Sequence, residues 1–141
     1  MRAVIQRVSR ASVSVERRVV AAIGPGVLVL LGVANGDGPG DAAWLAAKIR
    51  ALRIFADEGG RMNVSLGDRE ILCVSQFTLL GEARRGNRPS FVAAAAPEVA
   101  EPLYEHFCEL AGAQRGVFGA QMAVELVGDG PVTLLLDSSG R

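Results

Sequence analysis

Three polar side chains interrupt the apolar stretch "ILCVSQFTLL" at residues 71–80. The stretch has the composition of a buried β-strand, and a buried polar side chain needs a hydrogen-bond partner. Ser75 and Gln76 are neighbours that would face opposite sides of such a strand, and Thr78 follows closely. Either these groups bond to the backbone, or the strand ends beside a loop, where binding sites are commonly built. We predict that the strand runs out of the core into a catalytic pocket.

A serine or threonine nucleophile in this stretch would need a general base within hydrogen-bond reach. The only histidine, His106, falls in a predicted helix beside Tyr104 and Phe107, which favours a surface or packing role. The chain has no GxSxG elbow, and no paired carboxylates stand out. A site that acts through positioned backbone N–H groups and bound water therefore fits these residues better than an activated hydroxyl does.

The segment "DGPVT" at residues 129–133 allows two interpretations. Gly-Pro commonly forms an ordinary turn. Alternatively, a cis Gly130–Pro131 bond would present two backbone carbonyls to a ligand, and only X-Pro bonds reach cis at low cost. The role of Arg7 also allows two interpretations. On a half-buried strand it either pairs with a surface acid or uses its five donors to hold a carbonyl-rich turn.

Acidic and basic residues number 15 each, so no global positive field attracts nucleic acid to this chain. Lys48 is the only lysine, and arginine suits bidentate contacts to phosphate or carboxylate. Arg84, Arg85 and Arg88 cluster in one short segment. Such a charge run is usually a solvated surface, and contact with phosphate is the alternative.

Cys73 and Cys108 lie within apolar patterns, and their spacing and the single histidine give no common zinc site. We expect both to be small hydrophobic core residues, and we expect no metal and no cofactor. The longest apolar run, residues 27–34, is too short to span a bilayer, and the N-terminus lacks a signal-peptide core. These features predict a cytoplasmic protein without a membrane segment.

The strands that must position these residues are marked by alternating or continuous apolar runs. The pattern predicts a hairpin of residues 3–15 and 19–23, a strand at 27–34 and a second hairpin of 53–56 and 61–65. After strand 71–80, residues 81–91 form a loop with Phe91 as its anchor. Two more strands are predicted, at residues 122–127 and 132–138.

Two helices are predicted between the groups of strands. Asp41 caps the first, whose apolar positions are Trp44, Leu45, Ile49 and Leu52. Pro97 begins the second, whose apolar face is Val99, Leu103, Phe107 and Leu110. Together the elements predict an α/β fold: a mixed, largely antiparallel, barrel-like sheet with two main helices, in one domain over residues 1–141.

Seven segments, in order and covering most of the chain, resemble the D-aminoacyl-tRNA deacylase family. Two carry its active-site signatures, "VSQFTLL" at 74–80 and "DGPVTLLLDS" at 129–138. The other five are "MRAVIQRVSRASVSV" at 1–15, "IGPGVLVLLGV" at 23–33, "LRIFADEGGRMNVSL" at 52–66, "GNRPSF" at 86–91 and "PLYEHF" at 102–107. The chain departs from the family at Gly128, where an asparagine usually stands, and it is shorter between Leu66 and Ile71 and over residues 109–122.

The resemblance implies a composite site in a homodimer. The pocket for the terminal adenosine and the scissile ester would consist of the catalytic residues Ser75, Gln76, Phe77 and Thr78. The substrate-binding residues would be Gly130, Pro131, Arg7, Pro89 and Phe91. The carbonyls of Gly130 and Pro131, oriented by Arg7, would come from the other subunit across the interface, bind the substrate's ammonium group and crowd out the side chain of an L-residue.

The implied reaction is hydrolysis of the ester of D-aminoacyl-tRNA to free D-amino acid and tRNA, a chiral proofreading step. Glycine mischarged on tRNA-Ala would be a second substrate, and the acceptor end of the tRNA would be the partner. Water would attack, with backbone donors on the oxyanion and help from the ribose 2′-hydroxyl. Two alternatives stay open: a non-catalytic tRNA- or nucleotide-binding module of the same fold, and a relative with a trans Gly-Pro bond and altered chirality preference.

Overall fold

The computed structural model describes residues 1–141 and contains eight strands and two α-helices. In chain order the elements are β1 (Arg2–Val15), β2 (Arg18–Ile23), β3 (Gly26–Gly32), α1 (Pro39–Ala51), β4 (Phe55–Ala56), β5 (Met62–Val64), β6 (Glu70–Ser75), α2 (Pro97–Ala111), β7 (Gln114–Arg115) and β8 (Ala123–Asp137). A 3-10 helix, Phe77–Leu80, follows β6 directly, and a short one, Ser138–Gly140, ends the chain.

Strand β1 organises the main sheet because it pairs with three other strands. It runs antiparallel to β3 over residues 2–8, to β2 over residues 11–15 and to β8 along nearly its whole length. Beyond β3 the pairing becomes parallel, first with β6 and then with β7. The predicted fold class is confirmed: a mixed, largely antiparallel and barrel-like sheet with two helices.

The core has two parts, separated by the sheet. A large cluster joins one face of the sheet to α1 and α2, and a smaller cluster of seven residues lies on the other face, among β1, β2, β3 and β6. Alternate residues of β3 and β6 enter the two clusters, such as Ile71 and Cys73 against Leu72 and Val74. Burial on both faces explains why these strands read as continuous apolar runs.

The two helices lie where they were predicted, with corrections to their details. Gly38, not Asp41, is the N-cap of α1, and the Asp41 carboxylate accepts a hydrogen bond from the Gly38 N–H at 2.9 Å. The buried face of α2 is also rotated from the predicted one, because Val99 and Leu110 are about half exposed. Ala100 and Ala111 are buried in place of Val99 and Leu110. The buried face consists of Ala100, Leu103, Tyr104, Phe107, Cys108 and Ala111. Neither helix is long and apolar enough to cross a membrane.

Two strand predictions were wrong in ways that matter for the site. The strand predicted over residues 71–80 ends at Ser75, and Phe77–Leu80 is a 3-10 helix. The two strands predicted at 122–127 and 132–138 are one strand, β8, because both halves pair with β1. Gly130–Pro131 therefore does not form the turn of a hairpin.

Glycine is required at position 26, where the main chains of β3 and β6 approach each other. A Cβ atom at Gly26 would overlap the Glu70 carbonyl oxygen, and it would lie 2.9 Å from the Glu70 nitrogen. Gly24, two residues earlier, has only the flexible Glu70 carboxylate nearby, at 3.8 Å. The contrast makes these two glycines a matched pair.

We expect Gly26→Ala to lower the free energy of unfolding by about 1–3 kcal/mol, the usual cost of overpacking, because the β3–β6 ladder must open. Gly24→Ala should change it by no more than about 0.5 kcal/mol. Urea unfolding of the two variants beside the wild type checks this. Equal stabilities of the two variants would show that the approach of β3 to β6 does not require glycine at position 26.

Candidate active site

The end of β6 turns the chain out of the sheet at Gln76. The Gln76 N–H donates to the Leu31 carbonyl at 2.8 Å, and β3 itself ends at Gly32. The 3-10 helix then closes with bonds from Leu79 N–H to the Gln76 carbonyl at 3.2 Å and from Gly81 N–H to the Thr78 carbonyl at 3.0 Å. Thr78 therefore lies in a helical turn and not in the predicted strand, where sheet pairing would have buried its hydroxyl.

Gly32 permits this turn because it leaves room for the 3-10 helix. A Cβ atom at Gly32 would lie 2.5 Å from Leu80 Cδ2 and 2.9 Å from the Gln76 carbonyl oxygen. The N–H groups of Phe77 and Thr78 precede the first bond inside the helix, so they have no acceptor within it. Both residues are exposed, so a ligand can approach this turn.

A cleft of about 700 Å³ opens beside this turn. It lies between the end of β6, the segment leading into α2, and the segment that precedes β8. Its lining residues are Val33, Val74, Ser75, Gln76, Phe77, Phe91, Ala94, Ala95, Pro97, Ala100, Phe118, Gly119, Ala120, Gln121, Met122 and Val124. None of them is an acid, a base or a cysteine, so the cleft wall offers no side-chain general base to activate the hydroxyl of Ser75.

Four of the sequence-predicted residues line the cleft: Ser75, Gln76, Phe77 and Phe91. The rings of Phe77 and Phe91 meet edge to face, with centroids 5.1 Å apart and an angle of 73° between their planes. Gly81 makes room for this pair, because a Cβ atom there would lie 2.9 Å from Phe91 Cε1. Both rings are partly exposed, so each presents apolar surface at the cleft against which a planar group can stack.

Thr78 and Pro89 lie outside the cleft wall. Thr78 is exposed, and its hydroxyl oxygen accepts a hydrogen bond from the Gln76 side-chain amide at 2.6 Å. Pro89 is exposed in the loop between the 3-10 helix and Phe91. The Thr78 hydroxyl therefore stands next to an amide donor, and no base contacts it.

Gly130 and Pro131 also lie outside the cleft of their own chain, in a bulge of β8. The β1–β8 ladder passes from Gln6 opposite Thr133 to Val8 opposite Gly128, so residues 129–132 face only Arg7. The Gly130–Pro131 peptide bond is cis, and both residues are exposed. We call residues 129–132 the Gly-Pro bulge.

Arg7 contacts the first residue of the Gly-Pro bulge, Asp129. Its side chain is only 13% exposed, and its guanidinium donates to the Ile54 carbonyl at 2.6 Å and to the Asp129 carbonyl at 3.1 Å. The Asp129 carboxylate lies 3.4 Å from Arg7 Nε and balances the charge. A Cβ atom on Gly130 would lie 2.9 Å from Arg7 Nη2, and Gly130 has φ +122°, so this position requires glycine.

Half of the cleft wall had no signal in the sequence analysis. These residues are Ala94 and Ala95 before α2, Ala100 within α2, and Phe118 to Met122 before β8; apart from Gln121 they are small or apolar, and none is an acid, a base or a thiol. Their position in the wall depends on how α2 docks, and a local sequence pattern does not indicate this docking. Only the unusual density of alanine and glycine in these segments could have indicated close approach of a ligand.

Three reactive side chains outside the cleft, those of Tyr104, Cys73 and Cys108, are buried in the core. The Tyr104 hydroxyl donates to the Cys73 carbonyl at 2.9 Å, and burial raises the pKa of Tyr104. Burial likewise raises the pKa of the Cys73 thiol. Cys73 and Cys108 are both free and buried, in agreement with the predicted packing role.

Comparison with known proteins places the chain in a family. The sequence profile of the family described as D-Tyr-tRNA(Tyr) deacylase matches residues 4–137. Proteins named D-aminoacyl-tRNA deacylase from Opitutus terrae and Myxococcus xanthus are 57% and 54% identical to it, and the matches cover 100% and 99% of this chain and 99% and 96% of theirs.

Solved structures agree with this fold. A structure titled c-Myc DNA Unwinding Element Binding Protein superposes with a TM-score of 0.91 and 42% identity, covering 97% of this chain and 98% of that one. A probable eukaryotic D-amino acid tRNA deacylase superposes with a TM-score of 0.83 over 96% of this chain and 97% of that one, at 17% identity, which compares the fold alone. The chain belongs to the D-Tyr-tRNA(Tyr) deacylase family.

The environment of Arg7 generates a test of its structural role. We expect Arg7→Ala to lower the free energy of unfolding by about 1.5–3 kcal/mol, because two carbonyls lose charge-assisted bonds. Arg10→Ala, on the same strand, breaks a solvent-exposed pair with Glu125 at 3.3 Å and should cost less than about 1 kcal/mol. Chemical unfolding of both variants gives the comparison, and a loss at Arg7 no larger than that at Arg10 would contradict the assigned bonds.

Proposed function

We propose that this protein hydrolyses the ester bond of D-aminoacyl-tRNA to give free D-amino acid and tRNA, as a chiral proofreading step in the cytoplasm. The observation that carries the proposal is the cleft: a site of about 700 Å³ that is lined by Ser75, Gln76 and Phe77 and has no titratable side chain in its wall. The full-length similarity to proteins named D-aminoacyl-tRNA deacylase supports the choice of substrate.

In this proposal the terminal adenosine of the tRNA enters the cleft. The Phe77–Phe91 pair offers an apolar face to the base, and Gln76 supplies an amide beside it. The ester carbonyl lies over the start of the 3-10 helix, where the N–H groups of Phe77 and Thr78 stabilise the oxyanion of the tetrahedral intermediate. Water attacks the carbonyl carbon, the ribose 2′-hydroxyl assists, and the ester C–O bond breaks with the ribose oxygen as leaving group.

A second copy of the chain completes the site. The wall of the cleft includes no residue of the Gly-Pro bulge, and both Gly130 and Pro131 are exposed, so in this proposal their carbonyls reach the substrate from a partner subunit. Strand β8 supports such a dimer, since it pairs only with β1 and exposes Val124, Val127 and, to 72%, Leu135. An unpaired edge with apolar side chains is a surface that a symmetric dimer covers.

Selectivity in this arrangement comes from main-chain atoms. The two carbonyls accept hydrogen bonds from the ammonium group of the amino acid, which fixes the direction of its side chain. The rigid bulge then occupies the space that an L side chain would need, while a D side chain points away. Glycine has no side chain to exclude, so glycine mischarged on tRNA-Ala is the second substrate we propose.

Turnover separates this proposal from its alternatives. We expect hydrolysis of D-tyrosyl-tRNA far above the uncatalysed rate, with L-tyrosyl-tRNA left essentially intact. Purified protein and the two radiolabelled esters suffice for the measurement. Binding of both esters without acceleration would mean a non-catalytic tRNA- or nucleotide-binding module, and faster loss of the L-ester would mean the opposite chirality preference.

A second test concerns the hydroxyl of Thr78. We expect Thr78→Val to keep kcat within about tenfold of the wild type, because no base contacts this hydroxyl, whereas loss of a true nucleophile costs several orders of magnitude. Single-turnover hydrolysis of D-tyrosyl-tRNA measures it. A rate at the background level, or an acyl group trapped on Thr78 in the wild type, would assign the nucleophile to Thr78 and refute attack by water.

A further inference from the structure

We infer that the exposed loop of residues 82–90 holds the phosphates of the tRNA acceptor end as they leave the cleft. The inference rests on the proposed function and adds to it the surface that binds the RNA outside the terminal adenosine. Arg84, Arg85 and Arg88 carry the charge of this loop, and Glu82 is its only acid.

The loop is built as a separate projection from the rim of the cleft. Two main-chain bonds between Glu82 and Ser90, at 2.8 and 2.9 Å, close its base, and all its residues are exposed. Its two ends are fixed beside the cleft, because Gly81 packs under the Phe91 ring and Phe91 packs against Phe77. A polynucleotide whose last base lies in the cleft and which leaves on the side of Phe77 and Phe91 therefore passes this loop.

The arginines of the loop differ from most others in the chain. Arg2, Arg7 and Arg50 use their guanidinium groups to bind main-chain carbonyls, which fixes the fold. Arg85 and Arg88 form no ion pair or side-chain hydrogen bond within the chain. Arg84 is 90% exposed, and its Nε lies 3.8 Å from Glu82. These groups contribute little to stability, as expected for exposed charges.

The chemistry of the loop fits phosphate. The protein has no net charge, so binding of a polyanion must depend on a local concentration of positive charge. Arginine presents a planar fork that matches two phosphate oxygens, and three such forks lie within five residues of one another. The single-stranded end of the acceptor arm presents flexible phosphates at a spacing that such a loop can follow.

The test compares R84Q/R85Q/R88Q with the wild type on two esters, D-tyrosyl-tRNA and the D-tyrosyl ester of adenosine. We expect the triple variant to raise KM for the tRNA ester by roughly 10- to 100-fold at 0.1 M salt, with kcat nearly unchanged. Its rate on the adenosine ester should equal that of the wild type, which also shows that the cleft is folded. K48Q removes one charge from the exposed side of α1 and serves as the control, with no change on either substrate.

Salt dependence gives an independent readout with deacylated tRNA. The slope of log K against log salt should be less steep by about 2 in the triple variant, since each single-strand phosphate contact contributes about 0.7. An unchanged slope and KM, or an equal loss on the adenosine ester, would overturn the inference. If the wild type cleaves neither ester, the proposed function fails, and the slope with deacylated tRNA still decides the role of the loop.

Discussion

The ladder between β1 and β8 is the interaction on which the rest of the structure depends. β1 joins β8 to β3 and β2, and through β3 it reaches β6, the strand that ends at the cleft. The same ladder is interrupted opposite Arg7, where the Gly-Pro bulge leaves the sheet. Because one strand pair fixes both the wall at Val124 and the bulge, the spacing between these two elements is set by main-chain hydrogen bonds.

In the proposed chemistry, main-chain groups contact the substrate in place of reactive side chains. The cleft wall has no acid, base or thiol, and the side chains of Tyr104 and Cys73 are buried in the core. Main-chain donors at Phe77 and main-chain acceptors at Gly130 have directions set by the fold, so they cannot adapt to a mirror-image substrate as a flexible side chain can. In the proposed site, the glycines at residues 32 and 130 therefore matter as much as the polar residues, because a Cβ atom at either position would meet neighbouring atoms.

The elements that could be predicted are those marked by a local pattern in their own residues. Continuous apolar runs gave β3 and β6, and Pro97 gave the start of α2. The prediction failed where a distant segment decides the outcome. Residues 77–80 give no local sign that β3 ends at Gly32 and leaves no ladder to continue, and Val99 gives no sign that Ala100 is buried in its place. The pocket residues Ser75, Gln76, Phe77 and Phe91 were predicted, whereas Ala120 and its neighbours were not, because they contribute shape without chemistry.

Subunit complementation tests the composite site most directly. Gly130→Val should disable the Gly-Pro bulge, since that position has φ +122° and contacts Arg7, and Ala120→Trp should fill the cleft. Each variant alone should be inactive on D-tyrosyl-tRNA. Unfolding and refolding them together should restore roughly a quarter of the wild-type activity, because each heterodimer has one intact cleft facing one intact bulge. A mixture that stays inactive although heterodimers form, or an active Gly130→Val homodimer, would contradict a site shared between two subunits.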